Sequence, residues 1–236
     1  MHRFYLSQQL NIGDIYQLEN DDKLHAAKSL RLKANDEVII CDGNCNDYNA
    51  VITDDVMNIK ITGLYKRIKE PCVYLTLFQA MPKADKLEFI LQKCTEIGVS
   101  EFFPFFSSRC VVKPSKNDKT MRYSKICLEA AKQSRRGIVP KSNAPLSYND
   151  TLIKLENYEL VLLAWEDSQT PLKSVLQNTQ CKNIAVIIGP EGGFSSSEAA
   201  DFGMHGAKNI SLGNRILRTE TAGISLASNI LYELEG

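Results

Sequence analysis

The 236-residue sequence has few of the features that mark membrane, secreted or metal-binding proteins. No apolar run approaches the roughly 18 residues that a membrane-spanning helix requires, and the opening MHRFYLSQQLNIGD lacks the apolar core of a signal peptide. The seven cysteines are an odd number, and only Cys41 and Cys45 are close neighbours. The three histidines lie far from any second ligand pair. We therefore expect reduced thiols, a cytoplasmic protein, no membrane partner and no metal site.

The net charge of the chain is zero, because 28 basic residues balance 28 acidic ones. Residues 1–72 carry a charge of −2, whereas residues 109–141, the basic segment, carry +8. Such a segment can bind phosphates in a neutral protein, although a solvated helix face with a basic linker would have the same composition. Its basic residues are Arg109, Lys113, Lys116, Lys119, Arg122, Lys125, Lys132, Arg135, Arg136 and Lys141.

The first 70 residues are rich in short β-branched and aromatic runs separated by turn residues. The predicted strands are RFYL, IYQL, DEVIICD, YNAVITD and NIKITGLY. One helical pattern, DDKLHAAKSLRL, covers residues 21–32. Several short strands with one helix predict a small barrel.

From residue 73 onwards, predicted strands alternate with predicted helices. Strands are expected at 73–80, 159–165, 184–189 and 209–213, and helices at 84–97, 121–134, from Ser196, and 219–234. Gly98 is expected to close the first of these helices and Thr219 to be the N-cap of the last. Alternation of this kind predicts a parallel sheet with helices on both faces, and two domains joined near residue 70.

The sequence IAVIIGPEGGFSSSE (184–198) places a stiff glycine-rich loop directly after a buried strand. In open α/β sheets ligands bind beyond the carboxyl ends of the strands, and glycines let the backbone approach a ligand closely. The loop matches neither GxGxxG nor the P-loop, and Glu191 would repel a bare phosphate. Ser195 and Glu198 have the spacing of a capping box, which predicts the start of the next helix.

A second loop of similar composition, SLGNRILRTETAGISL (211–226), follows the next strand. Gly213 allows a turn, and Ile216 and Leu217 offer apolar contact. Glu220 would lie in the first helical turn, where the helix dipole favours an acid, so a structural role explains it as well as a functional one. Arg218 is poorly explained by packing alone. Two such loops at neighbouring strand ends indicate a nucleoside-like ligand.

The pair IIGPEGGFSSSE and SLGNRILRTETA closely resembles the bacterial 16S ribosomal RNA (uracil-N3)-methyltransferase family of the SPOUT superfamily. The resemblance extends along the whole chain, through RFY (3–5), HAAKSLR (25–31), MPKADKLEFILQKCTEIGV (81–99), SSRCVVK (107–113) and EAAKQSRRGIVP (129–140). It implies a PUA-like RNA-binding β-barrel at residues 1–70 and a SPOUT methyltransferase domain with a deep trefoil knot at residues 73–236. It also implies a homodimer with the active site at the subunit interface.

The resemblance further implies that S-adenosylmethionine binds in the knot and that 16S ribosomal RNA, or the small ribosomal subunit, is the substrate. Arg218 is the candidate cation near the reacting uracil, with Glu191 or Glu220 as proton acceptor. Expected RNA contacts are Arg3, Arg31, Arg109 and Arg136. The expected cofactor-binding residues are Leu163, Ala164, Gly189, Pro190, Gly192, Gly193, Leu212, Gly213, Ile216 and Leu217.

Two other functions remain open at this point. A nucleotide-dependent oxidoreductase with a nonstandard glycine loop would bind a dinucleotide, but no acidic ribose-binding residue follows a GxGxxG pattern. A non-catalytic RNA-binding assembly factor would retain RNA without methyl transfer, and the complete LGNRILRTETA motif argues against it.

Overall fold

The computed structural model describes residues 1–53, 58–114, 118–177 and 179–235. It divides into two compact units. The N-terminal unit comprises Met1–Glu70 with Ala131–Val139, and the C-terminal unit comprises Pro71–Ala130 with Pro140–Gly236. Within the described ranges no helix is long and apolar enough to cross a membrane.

The N-terminal unit is built on a five-stranded sheet with the strand order β1-β3-β4-β5-β2. The strands are β1 (His2–Tyr5), β2 (Ile15–Gln17), β3 (Glu37–Cys41), β4 (Asn46–Ile52) and β5 (Asn58–Arg67). The pair β1–β3 is parallel, and the other three pairs are antiparallel. Register shifts in the β4–β5 pair mark bulges, which increase the local twist of the sheet.

One face of this sheet holds the core of the N-terminal unit. Alternate residues point to the same side of a strand, so that Val38 and Ile40 of β3 and Ile59 and Ile61 of β5 are buried together. Helix α1 (Asn20–Leu24) continues into a π-helical turn at His25–Ser29 and buries Ala26 in the same core.

The helical segment predicted at 21–32 ends at Ser29 in the structure, earlier than its apolar pattern suggested. Arg31 adopts the left-handed conformation with φ of 54°, which a continuing helix does not allow. The last residue of the predicted strand YNAVITD, Asp54, lies outside the described residues.

The C-terminal unit contains a six-stranded sheet in the order β11-β9-β10-β6-β7-β8, and every neighbouring pair is parallel. Its strands are β6 (Tyr74–Ala80), β7 (Glu101–Phe105), β8 (Lys141–Ser142), β9 (Leu160–Ala164), β10 (Asn183–Ile188) and β11 (Ala207–Ile210). The prediction of a parallel sheet is confirmed.

Helices cover both faces of this sheet. They are α2 (Lys86–Ile97), α3 (Thr120–Ser134), α4 (Tyr148–Leu155), α5 (Leu172–Leu176), α6 (Ser196–Met204) and α7 (Thr219–Glu235). Alternate residues of β10 face opposite sides: Ala185 and Ile187 pack with Phe202 of α6, whereas Ile188 lies near Gly223 of α7. Residues from Ala131 of α3 onwards belong to the N-terminal unit.

Two predicted helix boundaries are confirmed in detail. Gly98 closes α2 with φ of 133°, a conformation that glycine adopts readily. Ser195 accepts from the N–H of Glu198 while the Glu198 carboxylate accepts from the N–H of Ser195, which is the capping box of α6. The prediction that Thr219 precedes α7 as its N-cap is wrong: Thr219 is the first helical residue, and its hydroxyl is bonded elsewhere.

Candidate functional site

A cavity of about 610 Å³ lies in the C-terminal unit, where the chain leaves three neighbouring strands. Because β9 pairs with β10 on one side and β11 on the other, the carboxyl ends of all three meet at one edge of the sheet. The cavity walls come from the segments that follow these strands. The lining residues are Lys86, Ala164–Glu166, Ser168, Gln169, Ile188–Glu191, Gly193, Phe194, Ser211–Thr219 and Ala222.

The two glycine-bearing loops predicted to lie together are joined by a direct hydrogen bond. The Thr219 hydroxyl donates to the carbonyl oxygen of Gly189 at 2.6 Å. The side-chain amide of Gln79, on β6, donates to the same hydroxyl at 2.9 Å. Gln79 and Thr219 are both buried, so water competes poorly for these bonds. The loop after β10 and the start of α7 are therefore held together on the central strand β6.

Backbone conformation and close packing explain why glycine occupies positions 192 and 193. Gly193 has φ of +62°, which is strained for any other common residue. A Cβ on Gly192 would lie 3.3 Å from Cβ of Arg109, which is a tight contact. Gly192 therefore packs against the neighbouring segment on the outer side of the loop and does not line the cavity.

The segment Ser107–Cys110 braces this loop from outside. The Arg109 guanidinium donates to the carbonyl oxygens of Gly192 and Phe194, at 3.0 and 3.3 Å. The N–H of Ser108 donates to the Glu198 carboxylate at 2.9 Å. Burial alone would raise the pKa of Glu198, but the N–H groups of Ser195 and Ser108 lower it below its usual value.

Three charged side chains meet at the rim of the cavity. Lys86 Nζ lies 3.0 Å from Glu191 Oε1 and 3.2 Å from Glu220 Oε2. Burial disfavours the charged form of Glu191, but the ion pair with Lys86 and the N–H of Lys83 lower the pKa of Glu191 overall. Both carboxylates proposed from the sequence as proton acceptors thus share one lysine.

Arg218, unlike Lys86, is a cation without a carboxylate partner among the described residues. It lines the cavity and is exposed, and no side-chain partner is found for it in the described parts of the chain. Arg215 also lines the cavity and is exposed, and a role for it at this site was not expected from the sequence. A cation without a local carboxylate is available to a ligand or substrate.

Most of the expected cofactor residues line the cavity. They are Ala164, Gly189, Pro190, Gly193, Leu212, Gly213, Ile216 and Leu217. Leu163 is fully buried in the sheet, and Gly192 packs outward, so neither reaches the cavity wall. Of the three expected catalytic residues, Arg218 and Glu191 line it, and Glu220 touches it only through Lys86. The ligand-binding role of each of these residues stays a prediction.

One wall of the cavity was missed in the sequence. Trp165, Glu166, Ser168 and Gln169 follow β9 and line the pocket. The signal was available, because the rule that ligands bind beyond strand ends applies to β9 as much as to β10. The buried indole N–H of Trp165 has no hydrogen-bond partner among the described residues. A buried donor of this kind is costly to leave unpaired.

The arginines expected to contact RNA have different environments. Arg31 is exposed, and Arg109 is exposed while it binds the loop carbonyls. Arg3 forms a buried ion pair with Asp47 at 3.0 Å, and Arg136 forms one with Glu70 at 2.7 Å. Both of these pairs lie within the N-terminal unit. Direct RNA contact by Arg3 or Arg136 stays a prediction, and would require each to leave its carboxylate.

The basic segment is less positive in the folded chain than its composition indicates. At least four of its cations are paired with acids outside the segment: Arg122 with Glu88, Lys132 with Asp22, Arg136 with Glu70, and Lys141 with Glu101. Lys116 lies outside the described residues. Exposed members such as Lys113 and Lys119 remain on the surface.

No group of three or more potential metal ligands occurs in the described ranges of the chain.

Comparison with known families identifies both parts of the chain. Residues 69–231 match the family described as RNA methyltransferase domain, and residues 18–60 match the RNA methyltransferase PUA domain. The chain is 34% identical over 235 residues to a protein of Mesomycoplasma hyopneumoniae (strain 232) named ribosomal RNA small subunit methyltransferase E. That similarity covers 99% of this chain and 100% of the relative.

Two solved structures are similar over nearly the full length. A putative methyltransferase from Legionella pneumophila, in complex with bound S-adenosylmethionine, has a TM-score of 0.88 at 26% identity, covering 98% of this chain and 96% of that one. A ribosomal RNA small subunit methyltransferase E from Neisseria gonorrhoeae, bound to S-adenosylmethionine, has a TM-score of 0.85 at 28% identity, covering 98% and 97%.

Proposed function

This chain belongs to the RNA methyltransferase family of the ribosomal RNA small subunit methyltransferase E enzymes, and we propose that it transfers a methyl group from S-adenosylmethionine to N3 of one uridine in 16S ribosomal RNA. The observation that carries this proposal is the cavity between the two joined loops. Its volume of about 610 Å³ falls within the several hundred cubic ångströms typical of small-molecule sites.

The residues around the cavity fit S-adenosylmethionine, the cofactor bound by both of the similar solved structures. Leu212, Ile216 and Leu217 provide apolar surface for a flat heterocycle. Gly193 and Trp165 also line the cavity. We propose that these segments belong to a SPOUT domain, residues 73–236, and that they form part of a trefoil knot.

Bound S-adenosylmethionine supplies a methyl group on a sulfonium, so the protein must align the reactants and manage charge. The new nitrogen–carbon bond forms as the sulfur–carbon bond breaks, with the electron pair left on sulfur. The N3 proton must leave before or during attack. Arg218 lines the cavity, and we propose that its charge stabilises the developing uracil anion. A carboxylate proton acceptor would have to be Glu191 or Glu220, each already ion-paired with Lys86.

We propose that residues 1–70 form a PUA-like barrel that contributes to RNA binding, consistent with the PUA match at residues 18–60. Exposed Arg31 and Arg109 are the proposed phosphate contacts. Arg3 and Arg136 are weaker candidates, because their charges are already matched by Asp47 and Glu70. The N3 atom lies on the Watson–Crick edge, so the target base must be unpaired or turned out of its stack.

The remaining parts of the proposal concern assembly and location. We propose a homodimer whose active site includes the subunit interface, and the exposure of Ile216 at the cavity leaves apolar surface there for a partner. The reaction as written uses no metal. A ribosomal RNA substrate would place the protein in the cytoplasm, where ribosomes assemble.

Incubation with methyl-labelled S-adenosylmethionine and small ribosomal subunits that lack the modification tests this function. Nuclease digestion and mass spectrometry should find the label on N3 of a single uridine. Label on another base, on another atom of uracil, or on no RNA at all would overturn the proposal.

A further inference from the structure

Lys86 is the first residue of α2 and links three separate parts of the C-terminal unit. Its ammonium forms ion pairs with Glu191, in the loop after β10, and with Glu220, in the first turn of α7. The side chains of Lys86, Glu191 and Glu220 are only 31, 25 and 16% exposed. These pairs are therefore better shielded from solvent than ordinary surface ion pairs.

The backbone before α2 reinforces the same contact. The N–H of Lys83 donates to Glu191 Oε1 at 3.1 Å, and Lys86 binds that same oxygen atom. No second cation forms an ion pair with Glu191 or Glu220 among the described residues. Without Lys86, Glu191 and Glu220 would lose the cation that neutralises both, and the rim would lose an ionic link between the two loops that acts beside the Thr219–Gly189 hydrogen bond.

We propose that Lys86 is a positioning residue that holds the two cofactor loops in their binding arrangement and keeps Glu191 and Glu220 out of proton transfer. This inference rests on the proposed function. It assigns the two carboxylates a structural task, as anchors for one ammonium group. The N3 proton then passes to water, and the stabilisation of the uracil anion falls to Arg218.

The chemistry of a general base supports this assignment. An effective proton acceptor has an accessible lone pair and a pKa near the operating pH. Glu191 meets these conditions poorly, because its Oε1 is held by both Lys86 and Lys83, and its pKa is lowered. The ion pair also raises the pKa of Lys86, so the lysine stays charged and cannot itself accept the proton.

The test measures two quantities on the full chain: the Kd for S-adenosylmethionine without RNA, and the single-turnover rate of methyl transfer at saturating cofactor. Lys86→Met should weaken cofactor binding about tenfold, whereas Lys86→Arg, which can still bind both acids, should stay within about threefold. Lys93→Met is the matched control, since Lys93 lies on the same helix and, among the described residues, its ion pair is with Glu96. It should leave both quantities unchanged.

The carboxylate variants test whether Glu191 or Glu220 accepts the N3 proton of the uracil. Glu191→Gln and Glu220→Gln should each reduce the single-turnover rate by less than about fivefold at saturating cofactor, because removal of a true general base costs about 100-fold or more. A loss of that larger size in either variant, with the Kd unchanged, would overturn the assignment. These two variants keep the test decisive if Lys86→Met fails to fold.

The pH dependence of the rate gives a further test of whether Glu191 is the base. The charge of Lys86 lowers the pKa of Glu191, so its removal must raise that pKa. If Glu191 were the base, the acidic limb of the rate profile would move to higher pH in Lys86→Met. We expect the limb to stay in place, and a shift would contradict the inference. Failure of the wild-type chain to bind S-adenosylmethionine would instead refute the proposed function.

Discussion

The hydroxyl of Thr219 donates to the carbonyl oxygen of Gly189 across 2.6 Å, although the two residues are 30 positions apart in the sequence. Gln79, from the central strand β6, donates to the same hydroxyl. This bond joins the first residue of α7 to the end of β10. The shape of the cavity between the two loops therefore depends on this buried hydroxyl as well as on the ion pairs of Lys86 at the rim.

Replacement of Thr219 by valine should damage both stability and cofactor binding. Valine keeps the shape but removes the hydroxyl that bridges the Gln79 amide and the Gly189 carbonyl. The amide retains its bond to the Ala80 carbonyl at 3.0 Å and a long contact of 3.5 Å to Gly189, so we expect a cost of about 0.5–1.5 kcal/mol in the free energy of unfolding. We expect a comparable weakening of S-adenosylmethionine binding, measured by calorimetry beside denaturant unfolding. Thr219→Ser keeps the hydroxyl and should retain most of both. Equal loss in the two variants would show that the hydrogen bond is unimportant.

Arg218→Ala should reduce the rate of methyl transfer far more than the affinity for the cofactor. Loss of one charge that stabilises the transition state costs about 100-fold to 1,000-fold in rate. Single-turnover kinetics and a separate cofactor titration distinguish the two effects. Arg218→Lys preserves the charge and should recover part of the rate. If only cofactor affinity falls, Arg218 belongs to the cofactor site.

Arg109→Ala should weaken cofactor binding even when no RNA is present. The Arg109 guanidinium supports the loop by donating to the carbonyl oxygens of Gly192 and Phe194, and we expect about a fivefold to tenfold rise in the Kd for S-adenosylmethionine. Lys113→Ala, four residues along the same segment, is the matched control. An unchanged Kd together with weaker RNA binding would restrict Arg109 to the substrate.

Stability near Glu198 should depend on pH. Because the folded-state pKa of Glu198 is lowered from the usual 4.5, its carboxylate stabilises the fold above that value, and the contribution is lost as pH falls through the folded pKa. Glu198→Gln should be less stable than the wild type at neutral pH by about 1–3 kcal/mol. The difference should shrink below pH 4.5. A gap that is constant with pH would contradict this account.

The salt dependence of RNA binding should be moderate. At least four of the ten cations of the basic segment are paired with carboxylates, so at most six are left for phosphate. This segment should therefore contribute no more than about −4 to the slope of log K against log salt for single-stranded contacts. A slope near −7 would mean that the paired cations are released to the RNA. A binding constant insensitive to salt would remove the basic segment from the interface.

Local signals carried most of the correct predictions. The apolar spacing at 84–97 with Gly98 predicted α2, and the Ser195–Glu198 spacing predicted the start of α6. Both depend on residues within a few positions of each other. The short elements β8, α4 and α5 were not predicted, because two to eight residues give too few repeats of a pattern.

Long-range pairings explain what the sequence could not provide. The partners Lys86 and Glu191 are 105 positions apart, and Arg136 and Glu70 are 66 apart. Nothing local to Arg136 shows that Glu70 neutralises it. The third wall of the cavity, at Trp165–Gln169, was a different kind of omission. Ala164 was expected at the end of the same strand, and the rule that ligands bind beyond strand ends already applied to the residues that follow it.

Amide hydrogen exchange with and without S-adenosylmethionine tests the central claim most directly, since exchange reports where binding suppresses local opening. The account predicts new protection at residues 164–170, 188–194 and 211–219, the three segments that line the cavity. Protection confined to other parts of the chain, or none at saturating cofactor, would contradict it.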